Sequence, residues 1–234
     1  MRRRLREIRE DEGGMTLIEL IVATTTGIVI FAGLTAMVLG SMHSSTRVTN
    51  RVHATQDARR VVHRITNELH SACVAQYVVP VQPESTRTKL SFAHAYGSEV
   101  TPVPIKTAIT LSGTTLTQTD YPVASGSTPS WVFSSTPSST RTILKNASAY
   151  SASAPVFTYF KVENGVLAEI PLSGTTELGT TNSQRVVQVN IALKVTPGGE
   201  VFNDVNADAN VQSSAYLRFT SPTYATTKTN SPCE

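Results

Sequence analysis

Few residues in this sequence have the types and spacing that chemistry requires. Asp204, Asn206, Asp208 and Asn210 alternate at every second position, as hard oxygen ligands do at the start of a calcium loop. The sixth position of that pattern, where a sharp turn wants glycine, is Ala209, and the ninth and twelfth are Gln212 and Ala215. Asp204, Asn206 and Asp208 are thus a calcium candidate set against the plainer reading of a solvated polar loop. His63, His70 and Cys73 share one stretch, but no second ligand cluster such as C-x-x-C accompanies them, and both histidines border an apolar stripe. A metal site is not expected there. No G-x-S-x-G elbow, P-loop or H-E-x-x-H helix occurs, so the chain reads as no enzyme and calls for no cofactor. Cys73 and Cys233 are the two cysteines. In an exported domain they would most simply form a disulfide, closing a loop of about 160 residues worth up to about 5 kcal/mol on loop-entropy grounds. The other reading is two free thiols, Cys73 partly buried and Cys233 on a frayed tail.

One group remains, the carboxylate of Glu19. From Met15 to about Leu39 the chain is apolar or small, long enough at about 1.5 Å per helical residue to cross a roughly 30 Å hydrocarbon layer. Leaving an ionised carboxylate without a partner near the edge of that layer costs on the order of 2.5–3.5 kcal/mol or more. A cost of that size calls for a compensating charge. The run Gly13-Gly14-Met15-Thr16-Leu17-Ile18-Glu19-Leu20-Ile21-Val22-Ala23, following an arginine-rich leader, strongly resembles the N-terminus of type IV prepilins and type II secretion pseudopilins. A secretory signal would instead have a shorter apolar core with its small-residue cleavage site after it. The resemblance implies cleavage after Gly14 by a membrane-embedded aspartyl peptidase, which then methylates the new terminus, Met15. It also implies that Glu19, fifth in the mature chain, neutralises the terminal amine of a neighbouring subunit during assembly. Two positions depart from the family: Met15 stands where phenylalanine is commoner, and Ala36 where many major pilins carry a helix-kinking proline. The second departure separates the chain from major pilins.

The 234 residues are 40% hydrophobic, 6% aromatic and 16% charged, with net charge +3, which allows one membrane helix and one modest globular domain. That charge is too small to argue for nucleic acid. Five arginines face four acidic residues within 1–14, so the positive-inside rule is nearly silent, and an inside N-terminus with an exported C-terminal domain is what the resemblance implies.

No proline precedes Pro80, so nothing obliges the helix starting near Met15 to stop at the membrane surface. Val48, Val52, Thr55, Ala58, Val62, Ile65, Leu69 and Ala72 recur every three or four residues, the mark of an amphipathic helix with one buried stripe. The reading is one helix to about Tyr77, roughly 95 Å long, ended by Val79-Pro80. Beyond it the period becomes two. Strands are expected around Leu90 and Phe92, over Ile105–Leu111 with Thr114–Thr119, over Thr142–Asn146, over Val156–Val162 with Val166–Ile170, over Val186–Val195 and over Tyr216–Thr220. Ser125–Ser139 reads as an exposed loop anchored by Trp131, Val132 and Phe133. The fold class is α+β: a long N-terminal helix, membrane-spanning then amphipathic, packed on a mainly antiparallel sheet, pilin-like. The divisions are a leader at 1–14, the apolar half-helix at 15–42, the amphipathic half at 43–79 and a β-rich exported domain at 80–234.

The helix continuation Gln56-Asp57-Ala58-Arg59-Arg60 through Ile65 and Glu68-Leu69, with the late pair Leu217-Arg218, is similar to J-type minor pseudopilins and W-type minor pilins. The expected function is that of a minor pilin or pseudopilin precursor, a structural or initiating subunit of a pilus or secretion pseudopilus. The implied partners are the prepilin peptidase/methyltransferase, other pilin or pseudopilin subunits, the inner-membrane assembly platform and cytoplasmic membrane lipid. The implied location is the inner membrane and then the surface filament. The rival is a membrane-anchored adhesin or DNA-uptake tip module, with the Ser/Thr-rich stretch near Trp131 as its contact surface.

Overall fold

A computed structural model describes residues 15–75, 78–95, 103–127, 130–151, 154–197 and 208–218. The chain divides into two compact units, Met1–Val48 and Thr49–Glu234. One long helix, α1 (Leu17–His70), begins in the first and ends in the second, and the remaining elements among the described residues are antiparallel strands and one helical turn. The class is α+β. One N-terminal helix is long and apolar enough to cross a membrane.

In the first unit α1 is exposed on every side, as the apolar-all-round sequence requires of a helix without neighbours. In the second unit the buried positions are Ala54, Ala58, Val61, Ile65, Glu68 and Ala72, spaced four and three residues apart, with Val62 and Leu69 beside them. This corrects the expected stripe. Val48 and Val52 are 61% and 46% exposed, whereas Ala54, Val61 and the acidic Glu68, which are not among the expected positions, are buried. The helix also stops at His70, well before Val79-Pro80. The Ser71 N–H is shared between the carbonyls of Asn67 and Glu68 at 3.2 Å, and its hydroxyl donates to Glu68 O at 2.7 Å. Ser71 thereby closes the last turn on itself. The next donors then leave for a strand: Cys73 N–H bonds Ala93 O at 3.0 Å, and Ala72 bridges His94.

That strand is β1 (Lys89–His94), followed by β2 (Ile105–Ser112), β3 (Thr115–Tyr121) and, after an insertion, β6 (Ser139–Leu144); they form one sheet in the order β1-β2-β3-β6. The insertion corrects the loop expected at Ser125–Ser139. Strands β4 (Val123–Ser127) and β5 (Ser130–Phe133) pair as a two-stranded ribbon. Gly126, at φ +99, permits it, because a Cβ there would collide with the Ser130 carbonyl. Period-two alternation turns Trp131 and Phe133 onto Cys73, Ala75, Val78 and Ala93 and leaves Val132 outside.

The second sheet runs β11-β10-β8-β9, with β7 (Ala147–Ala149) also pairing β10 (Val186–Val195). Strands β8 (Phe157–Glu163) and β9 (Val166–Glu169) join through Asn164 and Gly165, both at positive φ, the backbone of the hairpin expected there. The last strand, β11, is Ala209–Tyr216 instead of Tyr216–Thr220. Its inward residues Ala209, Val211 and Ala215 are small, so hydrophobicity alone gives little signal. A single turn, α2 (Gly179–Ser183), precedes β10. The main core joins Ala58, Val62, Ile65 and Leu69 of α1 to Leu90, Phe92, Ile109 and Leu116 of the first sheet and Phe157, Tyr159, Val189 and Ile191 of the second. Tyr159 is fully buried; its hydroxyl lies 2.9 Å from Thr86 O and 3.1 Å from Lys89 O, and burial pushes its ionisation up.

Candidate functional site

The first turn of α1 is built by Thr16, which precedes it. Glu19 N–H donates to Thr16 Oγ1 at 3.3 Å and Leu20 N–H to Thr16 O at 3.1 Å, so Thr16 is the N-cap and Glu19 the third helical residue. Thr16-x-x-Glu19 is the sequence of a capping box, a signal present in the chain but overlooked beside the lone-carboxylate argument. Glu19 is the acidic residue of the first turn, where the helix dipole favours negative charge. The geometry thus supplies a local reason for a carboxylate at this position. It leaves open a second use, since Met15, just ahead of the cap, and Leu17, Ile18 and Leu20 around Glu19 are all exposed. Gly14 lies outside the described residues.

The threonines that follow show how an apolar helix holds polar side chains. Thr24 Oγ1 donates to Ile21 O at 3.0 Å, Thr25 Oγ1 to Ile21 O at 2.9 Å and Thr35 Oγ1 to Phe31 O at 2.9 Å. Each hydroxyl is satisfied by its own helix and needs no water.

In the second unit Cys73 is disulfide-bonded; Cys233 lies outside the described residues. Asp204 and Asn206 also lie outside them. Asp208 is used by the fold: its Oδ2 is 2.8 Å from Lys194 Nζ. Burial raises its carboxyl, but bonds from Lys194 and Thr196 and the lysine charge together hold it below its ordinary value. Asn210 belongs to β11, opposite Lys194. His63 is held by Asn67, whose Nδ2 lies 3.1 Å from His63 Nδ1.

Two features had no sequence signal. One is an open groove of about 500 Å³ between Asn50, His53, Asp57 and Arg60 of α1 and Thr142–Asn146, floored by Val195–Pro197. The other is a buried polar chain that crosses the first sheet to α1. His94 Nε2 lies 2.9 Å from Thr107 Oγ1, which donates to Asp120 Oδ1 at 2.8 Å. Gln118 Nε2 donates to Asp120 Oδ1 at 3.1 Å and to Glu68 Oε2 at 3.4 Å, and Arg64 Nε donates to Glu68 Oε1 at 2.9 Å. Burial raises the Asp120 carboxyl, but Thr107, Gln118, Ser139 and the Arg141 charge bring it below its ordinary value. His94 is lowered as well, but by burial itself, which takes it to about 4 against a smaller upward pull from Asp120. Cross-strand partners such as these are invisible until the register is known.

Neither a protein-family model nor a curated protein matches the chain.

Proposed function

We propose that this chain is the precursor of a minor type IV pilin or type II secretion pseudopilin, cut after Gly14, methylated on Met15 and assembled into a filament through its N-terminal helix. The observation that carries this reading is the first half of α1: exposed apolar side chains on all sides from Leu17 to Met42, with an acid in the first turn. Such a surface must be covered by lipid, by other helices, or by each in turn. A terminal amine on Met15 would lie one helical turn from Glu19. At about 4 Å and an effective dielectric near 20, such a pair attracts by about 4 kcal/mol, comparable to the cost of burying the carboxylate. Between subunits, the same pairing would set the axial register.

Mass spectrometry of the exported protein tests processing: an N-methylated terminus at Met15 is expected, and Gly14→Val should block cleavage. A chain still starting at Met1, or cut beyond Ala23, would overturn the reading. Shearing and fractionation test assembly. Glu19→Gln keeps a capping-box side chain and the scissile bond, so it should be cleaved normally yet fail to enter sheared filaments.

The groove favours one alternative, a membrane-anchored binding module. Trp131 packs inward, so the contact surface of such a module moves from the β4–β5 ribbon to the groove. Reversing Arg60 and Lys145 to Glu would then abolish ligand binding and leave filament entry intact.

A further inference from the structure

The second sheet has two faces, and the core uses one of them: Phe157, Tyr159, Val189, Ile191 and Ala215 are fully buried on the inner side. An antiparallel sheet with one packed face ordinarily alternates apolar inward with polar outward. The outward face breaks that rule at one end. Residues paired directly across strands share a face, and the register runs Glu169 to Phe160 between β9 and β8, Phe160 to Gln188 between β8 and β10, and Gln188 to Tyr216 between β10 and β11. The next outward row pairs Val162 with Leu167. Val162, Leu167 and Tyr216 are 52%, 41% and 62% exposed, whereas Gln188, between Phe160 and Tyr216, is 4% exposed and donates from Nε2 to Asn190 Oδ1 at 2.5 Å. This end of the face therefore turns its apolar side chains to solvent and withholds its amide.

The two lateral edges of the patch carry opposite charges. Glu169 stands on the β9 side and is exposed. On the β11 side the ladder continues past Tyr216, since Leu217 N–H bonds Val187 O at 2.9 Å. Alternation turns Leu217 inward, where it is buried, and Arg218 outward, where it is exposed. Neither Glu169 nor Arg218 forms an ion pair among the described residues. A patch with an acid on one edge, a base on the other and apolar side chains between them is complementary to itself. A two-fold axis parallel to the strands, midway between β8 and β10, lays β9 of one copy over β11 of the other, so each copy's Glu169 meets the other's Arg218. A two-fold axis across the strands would set Glu169 on Glu169, which like-charge repulsion disfavours.

We propose that this outward face is where two copies of the chain associate, with Phe160, Val162, Leu167 and Tyr216 at the centre of the contact and a Glu169–Arg218 pair at each edge. Four strands about 4.8 Å apart make the face about 19 Å wide, the size of a weak, exchangeable contact and not of an obligate one.

The test is sedimentation of the full chain in detergent over a dilution series, comparing wild type with Glu169→Arg and with Arg218→Glu. Each reversal sets like charges against each other at both edges, so each variant alone should dimerise about 10-fold more weakly than wild type. An equimolar mixture of the two variants should recover the wild-type affinity as a mixed dimer, because one copy then carries two bases and the other two acids at the paired positions. Tyr216→Ser should weaken association as well, with the thermal midpoint of the second unit unchanged, since the core does not use that side chain. Three results each overturn the proposal: wild type that stays monomeric at every concentration, a dimer indifferent to both reversals, as association through the apolar half of α1 would be, and a mixture no tighter than its components.

Discussion

In the first unit Ile18, Phe31 and Met37 are 71%, 73% and 75% exposed, and the threonine hydroxyls between them close onto their own helix. In the second unit Phe92, Ile109, Phe157 and Ile191 are fully buried, and the polar side chains reach across strands: Thr107 to Asp120, Gln118 to Glu68, Lys194 to Asp208. The first pattern is self-contained in hydrogen bonds and incomplete in packing. The second completes its packing internally and shares its hydrogen bonds among elements. A segment of the first kind can exchange one apolar environment for another without breaking a polar contact.

The sharpest way to break this contrast is to truncate one large side chain in each unit. Phe92→Ala should lower the unfolding free energy of the second unit by about 3–5 kcal/mol, whereas Phe31→Ala should leave its denaturant midpoint unchanged. A comparable loss from both would mean the first unit is packed after all. Phe31→Arg probes the apolar environment itself. It should cost about 2.5–3.5 kcal/mol at the centre of a spanning helix, read as protein lost from the membrane fraction, with the second unit's thermal midpoint unaltered.

Acid separates the units in a third way. Glu84 and Asp120 have folded values below their ordinary 4.5 and 3.8, so their stabilisation is complete above those values and is lost as pH falls through the lower folded ones. For Glu84 burial pushes up, while its own backbone bond, Lys106 and Ser91 prevail downward. His94 adds to the loss from 6.5 downward. Near-UV circular dichroism, which reports the packed aromatics, should therefore collapse in acid while the far-UV helical signal of residues 17–42 persists. The smallest expected effect is that of the cap: Thr16→Ala should cost about 1 kcal/mol of local helix stability, seen as faster amide exchange at Glu19 and Leu20 alone.

Local patterns made much of this legible in advance. The apolar helix, the β2–β3 and β8–β9 hairpins and β10 each announce themselves through composition, alternation or an Asn-Gly turn. What failed depended on partners. Proline is the strongest stop in the sequence and predicts a helix to about Tyr77, whereas Ser71 and the edge of β1 end it at His70. Ala58, Val62, Ile65, Leu69 and Ala72 of the expected stripe are buried while Val48 and Val52 are not, and no sequence feature reveals Gln118 beneath Glu68. β4–β5 was hidden by Ser, Pro and Gly, and β11 by small inward residues. Of the candidate site, Glu19 was found by its charge, while its partner Thr16 was missed although the capping box lies in four consecutive residues.

β1 is first in the order of its sheet, yet its outer side is not open. Gln82 N–H bonds Ser91 O at 2.8 Å, Ala93 N–H bonds Pro80 O at 3.0 Å, and Ala72 and Val81 bridge His94 and Phe92. The segment following the helix thus occupies the hydrogen-bonding positions that a strand from another molecule would seek. With β1 already spoken for, an encounter between two copies cannot turn into strand-to-strand stacking along that edge, and collisions there stay reversible.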